Sequence, residues 1–134
     1  MSPTPSEVVK TLDFIFPTKE HQRFIEKSFS RGLVGAGWSN VRACQSILAN
    51  ALRSNIGTMI VAVLRKEPEL FYGWAYAADG KLVWVYVVKA FRRLGIGVHL
   101  ISTVLPDIAP IPCKFWSHDA AALAGHGIPI FFDA

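Results

Sequence analysis

The chain has 134 residues, 51% of them hydrophobic and 18% charged, with a formal net charge of +4. This length suits one domain spanning residues 1–134, and the composition supports a full core while excluding a disordered or low-complexity chain. No apolar run reaches the ~18–20 residues of a membrane span, so no membrane association is expected. Cys44 and Cys113 give neither a disulfide framework nor metal spacing, and no metal site is expected. The segment Met1-Ser2-Pro3-Thr4-Pro5 has no basic stretch followed by an apolar core. It does not read as a signal peptide, and a reduced, cytoplasmic setting is the expectation.

In chain order, Thr4-Pro5-Ser6-Glu7 opens a short helical turn, and the alternation in Leu12-Asp13-Phe14-Ile15-Phe16 predicts a first strand. Pro17 breaks it, and Thr18 caps a helix over about 19–30 whose inner side is Phe24, Ile25 and Phe29, with Glu20, Arg23 and Lys27 solvated. Gly32-Leu33-Val34-Gly35-Ala36-Gly37 reads as a flexible linker, or alternatively as a substrate loop. Ser39-Asn40 caps a second helix over 41–53, in which Val41, Cys44, Ile47, Leu48, Ala51 and Leu52 keep helical period. Cys44 is a core residue on this reading.

Strands follow: 59–64, then 70–77 across a connection at 65–69, then a hairpin turned by Asp79-Gly80 into a central strand from Leu82. After the central strand, Arg92-Arg93-Leu94-Gly95-Ile96-Gly97 opens a helix whose apolar side is Val98, Leu100, Ile101 and Leu105, stopped by Pro106. The proline-rich stretch 106–112 reads as a loop and Cys113-Lys114-Phe115-Trp116-Ser117 as a fifth strand. Asp119 then caps a short helix over 120–125, and 128–132 supplies a last strand at an edge because of Pro129.

The chemically suggestive stretch is the strand, basic turn and helix of 83–101. The first N–H groups of a helix have no partner inside it, the helix dipole adds partial positive charge there, and glycine lets a ligand approach the backbone closely. Together these make an anion site suited to a pyrophosphate. The spacing fits neither the dinucleotide fingerprint nor a P-loop. The phrase Phe91-Arg92-Arg93-Leu94-Gly95-Ile96-Gly97, after an aromatic, Val-rich strand, resembles the acetyl-CoA signature of the GNAT N-acetyltransferases. The likeness covers about residues 58–126.

That resemblance implies an α/β (α+β) fold: a mixed, mostly antiparallel sheet of about six strands flanked by helices and splayed between the fourth and fifth. It implies acetyl-CoA as cofactor, its pantetheine arm and thioester against the backbone of Val85, Tyr86 and Val87. The pyrophosphate would lie on Arg93, Leu94, Gly95, Ile96, Gly97 and Val98, with Arg92 and Arg93 near the 3′-phosphate. Asp119 stands where the family has an asparagine, and His126 where it has the tyrosine that protonates the departing thiolate. Histidine titrates near neutrality, so the exchange is chemically workable.

The chain departs from the family in three places. No tyrosine follows Tyr86, Ser117 stands where several members have a glutamate base, and the end after His126 is short. Ser117, His118 and His126 are the catalytic candidates, with His99 poorly placed one turn into the cofactor helix. Trp38, Trp74, Trp84, Trp116 and the 31–40 loop are candidates for the acceptor pocket, and sheet packing explains the tryptophans equally well.

Three functions stand open. One is transfer of an acetyl group to a primary amine of a small molecule or protein. The second is a GNAT-fold binding or structural subunit without turnover, as a homo-oligomer or within a larger assembly such as a phage. The third, a nucleic-acid module using Arg31, Arg42, Arg53, Arg65 and Lys66, is disfavoured because the basic residues are spread along the chain.

Overall fold

The computed structural model describes residues 5–35, 37, 41–54, 56–92, 95–106, 110–114 and 117–133. Six strands form one sheet in the order of the chain: β1 (Leu12–Ile15), β2 (Thr58–Leu64), β3 (Glu67–Ala78), β4 (Lys81–Val87), β5 (Ile111–Cys113) and β6 (Ile130–Phe132). The first four are mutually antiparallel, while β5 runs parallel to β4 and β6 parallel to β5. Helices α1 (Pro5–Lys10), α2 (Lys19–Gly35), α3 (Val41–Ser54), α4 (Ile96–Val104) and α5 (His118–Gly125) surround it. The protein is thus mixed α/β with a mostly antiparallel sheet, and no helix among the described residues is long and apolar enough to cross a membrane.

The central strands are buried on both faces, which explains their near-continuous apolar runs. On one face Ile60, Ala62, Ala75, Ala77, Leu82, Val85 and Val87 pack with Leu100, Ile101 and Val104 of α4. On the other, Met59, Val61, Val63, Trp74 and Tyr76 pack with Ile25, Phe29 and Leu33 of α2 and Cys44 and Leu48 of α3. The alternation breaks in β3, where Ala62 pairs with Gly73 but Val63 with Phe71, and again in β4. There Tyr76 pairs with Trp84 but Ala77 with Leu82, so Val83 is an extra residue. A bulge of this kind lets two neighbouring side chains share a face, and Val83 and Trp84 both lie on the α2–α3 side.

Several boundaries differ from the sequence expectation. Helix α2 runs on through Gly35 instead of ending near Ser30. Leu33, fully buried, continues the stripe of Ile25 and Phe29 and holds the last turns down. Gly32 is therefore a packing residue and not a linker: a Cβ there would lie 2.5 Å from Cζ2 of Trp84. The 65–69 connection shrinks to Arg65-Lys66, because Glu67 already pairs with Leu64. In the following hairpin, Asp79 and Gly80 take φ of 55° and 74°, the left-handed values that an Asp-Gly turn supplies.

The fifth strand begins at Ile111, inside the stretch read as loop, and ends at Cys113. Pro112 is compatible with strand pairing because Ile111 N–H bonds Pro129 O and Lys114 N–H bonds Leu82 O on its two sides. Val98, expected on the inner side of α4, is exposed, and Ile96 and Gly97 face inward instead.

Candidate functional site

Helix α4 starts at Gly95, whose φ of 83° is a left-handed value that favours glycine. No side chain caps this end, and the first intrahelical bond runs from His99 N–H to Gly95 O. The N–H groups of Ile96, Gly97 and Val98 therefore have no partner within the helix. Gly97 lies close to α5: a Cβ there would stand 3.3 Å from Leu123 Cδ1 and 3.5 Å from Val87 Cγ2.

Strands β4 and β5 pair at one register position, Leu82 with Cys113. Further along β4, Val87 N–H points away from β3 and donates to Asp119 Oδ2 at 3.0 Å. By the two-residue alternation of an antiparallel ladder, Val85 turns its N–H and C=O the same way. No described group bonds that N–H. Tyr86, between them, has its peptide groups in the β3 ladder opposite Trp74. It can therefore serve the site only through its side chain.

Asp119 is the hub of the site. Its Oδ1 also pairs with Arg92 Nε at 3.0 Å, and the same Nε donates to Val87 O at 3.1 Å. Burial pushes the Asp119 carboxyl above its ordinary value, opposed by the Val87 N–H and by the charges of Arg92 and His118. Asp119 does not cap α5. Ser117 does, its Oγ accepting Ala120 N–H at 3.0 Å. The Ser117 hydroxyl is thus buried and structural in this arrangement. His118 is exposed and joins α5 to α2: its Nε2 lies 2.8 Å from Gly35 O. A carbonyl only accepts, so that nitrogen carries the proton and Nδ1 is the acceptor of the neutral ring.

These groups line two adjoining cavities. The first, of about 280 Å³, is bounded by Phe24, Lys27, Ser28, Arg31 and Gly32 of α2, by Trp84, Val85 and Tyr86 of β4, and by Arg92, Ser117, His118 and Asp119. The second, of about 500 Å³, is bounded by Val87, Phe91, Arg92, the α4 start from Gly95 to Val98, and His118, Asp119, Ala122, Leu123, His126 and Ile128. Arg92, His118 and Asp119 belong to both walls. Every described residue expected to bind the cofactor or to act in catalysis falls on one wall or the other. Arg93, Leu94, Trp38 and Trp116 lie outside the described residues. Trp74 is fully buried, donating Nε1 to Ser28 Oγ at 2.7 Å, and takes no part in either wall.

Arg31 and Gly32 come from the 31–40 segment expected at the acceptor pocket, whereas Lys27 and Ser28 were not legible as site residues, although a signal exists. Residues 24, 27, 28, 31 and 32 recur at helical spacing and form one stripe once α2 is seen to continue past Ser30. No three His, Cys, Asp or Glu side chains among the described residues gather as a metal ion would require. No protein-family model matches the chain, and no curated protein is significantly similar to it.

Proposed function

We propose that this chain is a GNAT-type, acyl-CoA-dependent N-acyltransferase that moves an acetyl group from acetyl-CoA directly to a primary amine. The observation that carries the reading is the convergence of two sets of bare backbone donors on adjoining cavities. These are the first N–H groups of α4 and the outward N–H of Val85, with Arg92 between them. The α4 terminus suits a pyrophosphate, through unpartnered N–H groups and the positive end of the helix dipole. Arg92 makes its protein contacts through Nε, so its outer guanidinium nitrogens remain donors for a phosphate.

Acetyl-CoA brings an activated thioester. The chain's part is to hold the reactants, to donate to the carbonyl oxygen and to move two protons. Val85 N–H is the oxyanion donor. His118 Nδ1 accepts the amine proton, and His126, exposed at the end of α5 on the second cavity, supplies a proton to the departing sulfur. Val87 has a reduced role compared with the sequence reading, because its N–H is held by Asp119.

Isothermal titration with CoA, followed by a thiol-release assay against an amine panel, tests this. Absence of CoA binding removes the reading. The Asp119–Val87 bond, together with the lack of any tyrosine after Tyr86, favours a second reading: a GNAT-fold binding or structural subunit, alone or in a larger assembly. CoA binding without thiol release selects it.

A further inference from the structure

The first cavity has features that the acyl-donor site does not use. Lys27 and Arg31 stand one helical turn apart on its wall, and neither has a carboxylate partner among the described residues. Arg92 is the only cation of the wall matched by a carboxylate, Asp119. Three cations against one carboxylate leave the wall at a net charge of +2 without counting His118. Trp84 also lines this wall and is 1% exposed.

We infer that this cavity binds an anionic group, a carboxylate or phosphate, carried by the small amine that receives the acyl group. Arg31 and Lys27 supply the charge. The volume of about 280 Å³ is at the lower end of the ~300–1,000 Å³ typical of small-molecule pockets, which fits a compact metabolite. A polyamine or an amine with an apolar tail leaves the two cations unmatched. The amine part of this inference rests on the transferase reading. The anion site does not.

The test follows the indole N–H resonance of Trp84, assigned through W84F, while the full chain is titrated with β-alanine, O-phosphoethanolamine and propylamine. CoA is titrated into the same samples. Shift of the Trp84 signal by β-alanine or O-phosphoethanolamine but not by propylamine, with at least about tenfold weaker binding in R31Q and K27Q, is the expected result. Whichever anionic probe binds more tightly identifies the source of the charge. Equal binding of propylamine, no shift with either anionic probe, or unchanged affinity in both variants overturns the inference. CoA binding without anionic-amine binding sinks this inference alone, whereas anionic-amine binding without CoA binding sinks only the transferase.

Discussion

Asp119→Ala deletes a carboxylate that accepts the Val87 N–H at 3.0 Å and pairs with Arg92. Val87 is buried, so its N–H is left without an acceptor at a cost of ~1–3 kcal/mol. Arg92 is well exposed and returns to water, adding little. Part of the loss is offset because the buried charge itself disappears. The net expectation is a loss of ~1–2 kcal/mol for D119A, read by urea denaturation at neutral pH. For D119N it is under ~1 kcal/mol, because the amide oxygen still accepts from Val87.

The pH dependence has a definite sign. The folded-state value of Asp119 is raised, so across the window from the unfolded value of ~3.9 up to the folded value the native chain holds the proton more tightly. This residue's contribution to stability therefore falls as pH rises through that window and stays low above it. D119N removes that slope. A D119A loss inside the ±0.5 kcal/mol of ordinary surface changes, or a D119N loss equal to it, refutes the hub role.

Gly32→Ala gains ~1 kcal/mol of helix propensity but sets a Cβ 2.5 Å from Trp84 Cζ2, and overpacking costs ~1–3 kcal/mol. A net loss in denaturant unfolding is expected, reversed to a gain in a W84F background; an alanine variant more stable than the parent contradicts the packing. Ser28→Ala strips the fully buried Trp74 Nε1 of its acceptor and should lower stability by ~1–3 kcal/mol in thermal unfolding, with a shift inside ±0.5 kcal/mol counting against it. Gly97→Asp places a carboxylate on the bare N–H groups of α4 and crowds Leu123. Loss of CoA binding in a chain that is still folded by circular dichroism is expected, and retained binding moves the pyrophosphate elsewhere. His126→Phe should lower turnover by ~10²-fold while leaving CoA affinity unchanged; unchanged turnover removes His126 from proton transfer.

The sheet was readable because its signals are local. The Asp79-Gly80 turn and the apolar runs of β2 and β4 carry the same message in sequence and in three dimensions. What misled was any residue whose role is set by a distant partner. Gly32 looks like a linker glycine until Trp84 is known to lie against it. Ser117 and Asp119 are both good cap residues, and the choice between them depends on the Val87 N–H, 32 positions upstream of Asp119, needing an acceptor. Pro112 argued against a strand, yet β5 is held through Ile111 and Lys114 on either side of it. Val98 fits an apolar stripe, but the inward position belongs to Gly97, where α4 comes close to Leu123.

Size alone does not locate the site. The largest of the described cavities, about 640 Å³, lies beside Phe16, Ile25, Ile56 and Met59 at the opposite end of β2. Among its polar wall residues, Tyr76 already donates its hydroxyl to Ile56 O. The cavity against β4 is smaller but has donors without acceptors. Among the described residues no strand pairs with β4 beyond Leu82 on the side of α5, and buried backbone groups rarely go unsatisfied. Asp119 answers for Val87. Among the described residues Val85 N–H is left, on the same wall as two cations of α2 that have no carboxylate partner there. A backbone donor and two cations facing one small space call for a ligand rich in acceptor oxygen.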